Sequence, residues 1–292
     1  MTQTLAGKTR TFLEMIKIEH SIFALPFAYL GLILGERGWP RLEIFIWVTA
    51  AMVSFRTMAM GFNRLIDMPI DRDNPRTSAR ALPAGKLKPG FVWWMTLLAF
   101  FLFEVSAAQL GTLCLSLSPW AAFLAWLYPF AKRFTWLSHF LLGIILAMAP
   151  YGAWIGSRHD FSWIPGLFSI GIAAWVAGFD IIYALQDEEF DRQYGLFSFP
   201  ARFGKAASLR LTQILHVLTV VCWLGAGILA GLGAIYFAGL VLVVIFLVRE
   251  HWLVASFGLK KLEEAFFTMN AIVSLSVFAA VLADYSLGGI LR

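Results

Sequence analysis

The stretch Glu43 to Ile66, EIFIWVTAAMVSFRTMAMGFNRLI, runs directly into Asp67-Met68-Pro69-Ile70-Asp71-Arg72-Asp73, and its reading decides the fold. At about 1.5 Å per helical residue the apolar run exceeds the roughly 30 Å of bilayer hydrocarbon. Lipid accepts only backbone that is hydrogen-bonded within itself, so the run predicts a transmembrane helix. The polar segment after it predicts a loop at one membrane face. Eight further apolar runs, at about 20–36, 91–110, 113–131, 136–156, 162–185, 208–230, 233–248 and 264–286, predict the same. Breakers such as Gly38 with Pro40, Gly111, and Gly231 with Gly233 fall between them. The expectation is an all-α polytopic membrane protein of about nine helices.

Composition agrees with this. The chain is 60% hydrophobic and 14% charged, against about 25% charged in a soluble domain. The longest polar stretch, Asp67 to Gly90, is too short to fold alone, so residues 1–292 read as one transmembrane domain. The polar, basic segment Met1 to Glu19 is not followed by a short apolar core with a small-residue cleavage site, so the first helix is expected to stay in place. Cys114 and Cys222 lie inside apolar runs and read as small buried hydrophobes. Basic residues are spread over short loops, a poor pattern for nucleic acid.

Of the 23 Lys and Arg residues, 18 fall on one set of helix ends, 4 on the other, and Arg56 inside the second span. The positive-inside rule then places the N-terminus and the two long loops, 67–90 and 186–207, in the cytoplasm, and the C-terminus outside. A bacterial inner membrane is the expected location.

The two long loops carry the chemistry. The first has Asn63, Asp67 and Asp71; the second has Tyr183, Asp187 and Asp191. Aspartates four residues apart share one helical face, where like charges repel. Two such pairs at one membrane face imply a cation. Mg²⁺ suits them, because it takes one or two carboxylates and completes its shell with water and substrate phosphate. Arg76, Arg80, Lys132, Arg133 and Arg202 lie on the same side and suit phosphate or carboxylate. Arg56 and Asp180 are ionisable residues inside apolar spans, which marks them as functional candidates. Asp180, Tyr183 and Asp187 form one stripe. Lys17, with Glu19 and His20, stands at the rim before Pro26 and is a candidate for an anionic substrate group. His139 and His216 read as packing or hydrogen-bonded residues.

At these positions the chain resembles the UbiA superfamily of intramembrane aromatic prenyltransferases. N-x-x-x-D-x-x-x-D matches Asn63, Asp67 and Asp71, and D-x-x-x-D after Tyr183-Ala184 matches Asp187 and Asp191. Flanking matches include Asn74-Pro75-Arg76-Thr77, Tyr128-Pro129, Lys132-Arg133 and Ala201-Arg202-Phe203-Gly204. The resemblance implies a central cavity open to lipid, with Mg²⁺ held through Asp67, Asp71, Asp187 and Asp191. It implies that Lys132, Arg133 and Arg202 lie near the diphosphate and that Tyr128 faces a cation. It also implies that Asp180 or a second-motif aspartate orients a phenol. The substrates would be a polyprenyl diphosphate and an aromatic acid, 4-hydroxybenzoate or a dihydroxynaphthoate. Arg64 stands where many members have Asp, which points to the 4-hydroxybenzoate polyprenyltransferase-like branch. An ion-coupled transporter is the rival from another class. It predicts acids near the bilayer midplane and broken helices.

Overall fold

The computed structural model describes residues 4–18, 21–258 and 268–291, which form helices joined by turns. Glu19, His20, Lys260, Lys261 and Arg292 lie outside the described residues.

The chain opens with α1 (Leu5–Met15), whose N-terminus is capped by the Thr4 hydroxyl accepting from the Gly7 amide at 3.2 Å. Phe12 and Ile16 bury against Leu82, Leu87 and Val92. Then follow α2 (Ser21–Glu36), α3 (Leu42–Ile66), the short α4 (Met68–Asp73), α5 (Pro89–Gln109), α6 (Thr112–Ala131), α7 (Ser138–Arg158) and α8 (Trp163–Ala184). The short α9 (Glu188–Tyr194) precedes α10 (Phe199–Leu229), α11 (Ala234–Phe257) and α12 (Asn270–Leu291). Among the described residues eight helices are long and apolar enough to cross a membrane: α3, α5, α6, α7, α8, α10, α11 and α12. A shorter apolar segment, Ala24–Glu36 in α2, corresponds to the first predicted run.

Two boundaries move for physical reasons. The seventh run, expected from 208, begins at Phe199 because Ser198 caps the helix and Pro200 sits in its first turn. Gly204, at φ 76°, then kinks the helix. The eighth run, expected to stop at 248, continues through Arg249-Glu250-His251, because Glu250, Leu253 and Val254 are buried.

Helix α8 packs mainly between α7 and α10, while α3 pairs with α5, α2 with α7, and α11 with α12. Small residues set these approaches, since apolar side chains gain little by leaving lipid. A Cβ at Gly143 in α7 would lie 2.3 Å from the Ala173 carbonyl oxygen in α8. Hydrogen bonds between helices add to this packing: Ser169 Oγ donates to the Ala147 carbonyl at 2.8 Å, and Thr219 Oγ1 to the Gly171 carbonyl at 3.0 Å. Gly143→Val should therefore lower stability by about 1–3 kcal/mol or more. Thermal unfolding in detergent would show this, and an unchanged Tm would refute the close approach.

Candidate active site

Helix α3 ends at Ile66, and the Asp67 amide makes the last turn by bonding the Asn63 carbonyl at 3.0 Å. Pro69, in the first turn of α4, has no amide to give, so the helix restarts there. The Asp71 amide still reaches the Asp67 carbonyl at 2.8 Å, so the four-residue spacing keeps its meaning across the break. The second motif repeats the device, with Asp187 ahead of α9 and the Asp191 amide on the Asp187 carbonyl at 2.7 Å. The expected helical register is thus present, on the short helices α4 and α9 within the two long loops.

Both motifs line one cavity of about 750 Å³, within the roughly 300–1,000 Å³ usual for a small-molecule site. Its polar end holds Asn63, Asp67, Asp71, Arg76, Arg80, Lys132, Tyr183, Asp187 and Asp191. Lys17, Arg56, Tyr128 and Asp180 also line it. Its apolar part is walled by Phe27, Phe55, Phe103, Leu110, Trp175 and Phe179. Composition alone could not select these aromatic residues.

Three of the four paired aspartates, Asp67, Asp71 and Asp187, are held by a basic or amide group. Lys132 Nζ lies 2.9 Å from Asp67 Oδ2, and Asn63 Nδ2 donates to the same oxygen at 3.0 Å. Arg80 Nη1 spans both oxygens of Asp71 at 2.7 and 2.8 Å. Arg76 is bidentate to Asp187, with Nε at 2.9 Å from Oδ1 and Nη2 against Oδ2. Asn74 Nδ2 donates to Asp187 at 3.2 Å, and Tyr194 donates to Asp73 at 3.0 Å, so the two loops are tied together. Asp180 Oδ2 lies 2.6 Å from His139 Nδ1. Burial pushes the Asp67 carboxyl above the usual carboxylate range, with Lys132 opposing. Burial likewise raises Asp191, with a hydrogen bond from Ser198 opposing.

Two expected residues do not reach the cavity. Arg202 is exposed on the turn before the Gly204 kink, its guanidinium 5.5 Å from the centroid of the Phe203 ring. Arg133 donates to the Ile66 carbonyl at 2.6 Å, and its nearest approach to Asp67 Oδ1 is 3.9 Å. That Asp67 oxygen is buried and accepts no hydrogen bond among the described residues. Nor do any three His, Cys, Asp or Glu residues among them form a ready metal cluster. The site also gains residues that the sequence reading named without placing them in it. Arg64 lines the cavity, is buried, and reaches the Met15 carbonyl and Asn63 Oδ1, both at 3.4 Å. Asn74 bridges the motifs, and His139 partners Asp180. Cys222 is buried and Cys114 lines the cavity, both as free thiols.

Comparison with known proteins agrees with this geometry. The family model of the UbiA prenyltransferase family matches residues 24–272. A 4-hydroxybenzoate octaprenyltransferase of Francisella tularensis subsp. mediasiatica is 27% identical over 255 residues, covering 87% of this chain and 89% of the relative. The apo structure of a UbiA homologue from Aeropyrum pernix K1 superposes with a TM-score of 0.84 at 33% identity, covering 91% of this chain and 98% of that one. A UbiA homologue from Archaeoglobus fulgidus, solved with DMAPP and Mg²⁺, shares the fold at a TM-score of 0.70 and 17% identity, covering 93% and 99%. With the family model matching most of the chain and the Aeropyrum relative 33% identical, the chain belongs to the UbiA prenyltransferase family.

Proposed function

We propose that this protein transfers a polyprenyl group from a polyprenyl diphosphate to the ring of an aromatic acid of the 4-hydroxybenzoate type, with Mg²⁺, in quinone synthesis. The observation that carries the reading is the meeting of both aspartate motifs with Arg76, Arg80 and Lys132 at the polar end of an otherwise apolar cavity. The name of the Francisella relative supports the acceptor class, and the ligands of the Archaeoglobus homologue support an allylic diphosphate with Mg²⁺. The positive-charge bias supports cytoplasmic loops in a bacterial inner membrane. The motif aspartates follow the ends of the membrane-crossing helices α3 and α8, on or beside the short helices α4 and α9, which counts against an ion-coupled transporter.

The donor set fits Mg²⁺. This ion usually takes one or two protein carboxylates and fills its shell with water and phosphate oxygens, so two carboxylate pairs facing one cavity suit it. The unbonded, buried Asp67 Oδ1 is an acceptor suited to a cation. Asp67, Asp71, Asp187 and Asp191 would hold the metal, which supplies positive charge to the departing diphosphate.

The chain's own groups do the rest. Arg76, Arg80 and Lys132 bind the diphosphate oxygens, the guanidiniums as forks and the lysine as a point charge. Arg56 and Lys17 bind the acceptor carboxylate. Asp180 accepts the hydrogen bond of the acceptor's hydroxyl and enriches the neighbouring ring carbon. The C1–O bond breaks with its electron pair leaving on diphosphate. The ring carbon bonds C1, and the proton on that carbon passes to the released diphosphate as aromaticity returns. Tyr128, Trp175 and Phe179 exclude water and present ring faces to the developing cation.

Membranes containing the protein, given Mg²⁺ and radiolabelled polyprenyl diphosphate, are expected to prenylate 4-hydroxybenzoate, and to stop on adding EDTA. Transfer to 1,4-dihydroxy-6-naphthoate alone would reassign the acceptor; no transfer to either would refute the reading. The raised carboxyls of Asp67 and Asp191 hold their protons to higher pH than usual, and cation binding must displace them. The Mg²⁺ concentration for half-maximal rate should therefore be higher at pH 6 than at pH 8. Titration at both values checks the sign, and a half-maximal concentration that rises with pH would contradict it.

A further inference from the structure

We propose that His139 is a positioning residue, which holds the Asp180 carboxylate in the orientation that receives the acceptor's hydroxyl; this rests on the prenyl-transfer reading above. His139 is the second residue of α7, and Asp180 lies near the end of α8. The close approach of these helices at Gly143 and Ala173 brings the pair within reach.

The imidazole has both nitrogens engaged. Nδ1 lies 2.6 Å from Asp180 Oδ2, and Nε2 lies 3.4 Å from the Phe199 amide nitrogen. An amide only donates, so Nε2 accepts, and Nδ1 is the nitrogen that donates to Asp180. Phe199 is the first residue of α10, so its amide has no helical carbonyl to bond and is free to hold the ring. His139 is therefore an oriented donor to Asp180. It is buried, and it occupies Oδ2 while Asp180 faces the cavity. A cavity-facing carboxylate without this donor would rotate among orientations and lose its aim. Tyr128 and Phe179 line the same part of the wall.

An outer partner that orients a functional side chain is worth on the order of 10- to 100-fold. With full-length protein in nanodiscs, His139→Leu is expected to lower kcat by that factor, with KM for polyprenyl diphosphate unchanged. His139→Asn places an amide nitrogen near the position of Nδ1 and should restore most of kcat. In an Asp180→Asn background, His139→Leu should cost little more, because the residue it acts through is already neutral. An unchanged kcat in His139→Leu would overturn the positioning role. So would the full His139→Leu loss persisting in the Asp180→Asn background, or a His139→Asn protein that folds normally yet stays as slow as His139→Leu. If His139→Leu does not fold, the His139→Asn protein alone and combined with Asp180→Asn decides the matter. Wild-type protein with no prenyl transfer would overturn the function reading itself, and this role with it. An active wild type failing only the double-variant comparison overturns the role alone.

Discussion

Asp67→Asn is expected to lower turnover by roughly 10³-fold, the upper end of what one preorganised electrostatic contact contributes to a transition state. The substitution keeps the shape of the side chain and removes its charge. Lys132 Nζ, 2.9 Å from Oδ2, loses its counter-ion, and the buried Oδ1 no longer offers a full charge to a cation. Folding should survive, because burial already disfavours the ionised form of Asp67 and a neutral amide relieves that cost. Single-turnover rates at saturating Mg²⁺, set beside the thermal unfolding curve, separate the two effects. Near-normal turnover in a well-folded variant would remove Asp67 from the metal set.

The second large effect is expected at Arg56. This residue sits in the middle of α3, lines the cavity, and is anchored by Nη1 donating to the Ile16 carbonyl at 3.2 Å. A hydrogen bond to a charged group contributes about 1.5–3 kcal/mol, so Arg56→Leu should raise KM for the aromatic acid about 10- to 100-fold. KM for polyprenyl diphosphate should stay within a factor of about two. The variant should also lose the preference for an acid over the corresponding phenol without a carboxylate. Equal weakening of both substrates would show that Arg56 serves the diphosphate, or the packing of α1, rather than the acceptor.

Much of this site is visible in the sequence where a local rule governs it. Aspartates four apart announce a shared face, and the Asp71-to-Asp67 and Asp191-to-Asp187 backbone bonds confirm that register. Arg56 and Asp180 stand out because a charge inside an apolar span is costly without a purpose. Other features depend on distant partners. Asn74 and Arg76 meet Asp187 across more than a hundred residues. His139 is indistinguishable from a packing residue until α7 and α8 come together. Arg202 misleads because it sits in a motif, while the kink at Gly204 leaves its turn outside the cavity. The aromatic wall is invisible for another reason: in a helix that is apolar all round, periodicity does not say which face is inward.

The ties between Arg76 and Asp187, and between Arg80 and Asp71, make the site its own competitor. A diphosphate that recruits the guanidiniums frees carboxylates for a cation, and a cation that recruits the carboxylates frees guanidiniums for a diphosphate. Linkage makes such coupling reciprocal, so each ligand tightens the other by the same factor. Either ion alone must break a salt bridge without replacing both of its halves; the two together replace both. The protein should accordingly ignore free phosphate and free divalent cation at levels where it binds their complex well, a form of selectivity that needs no additional contact.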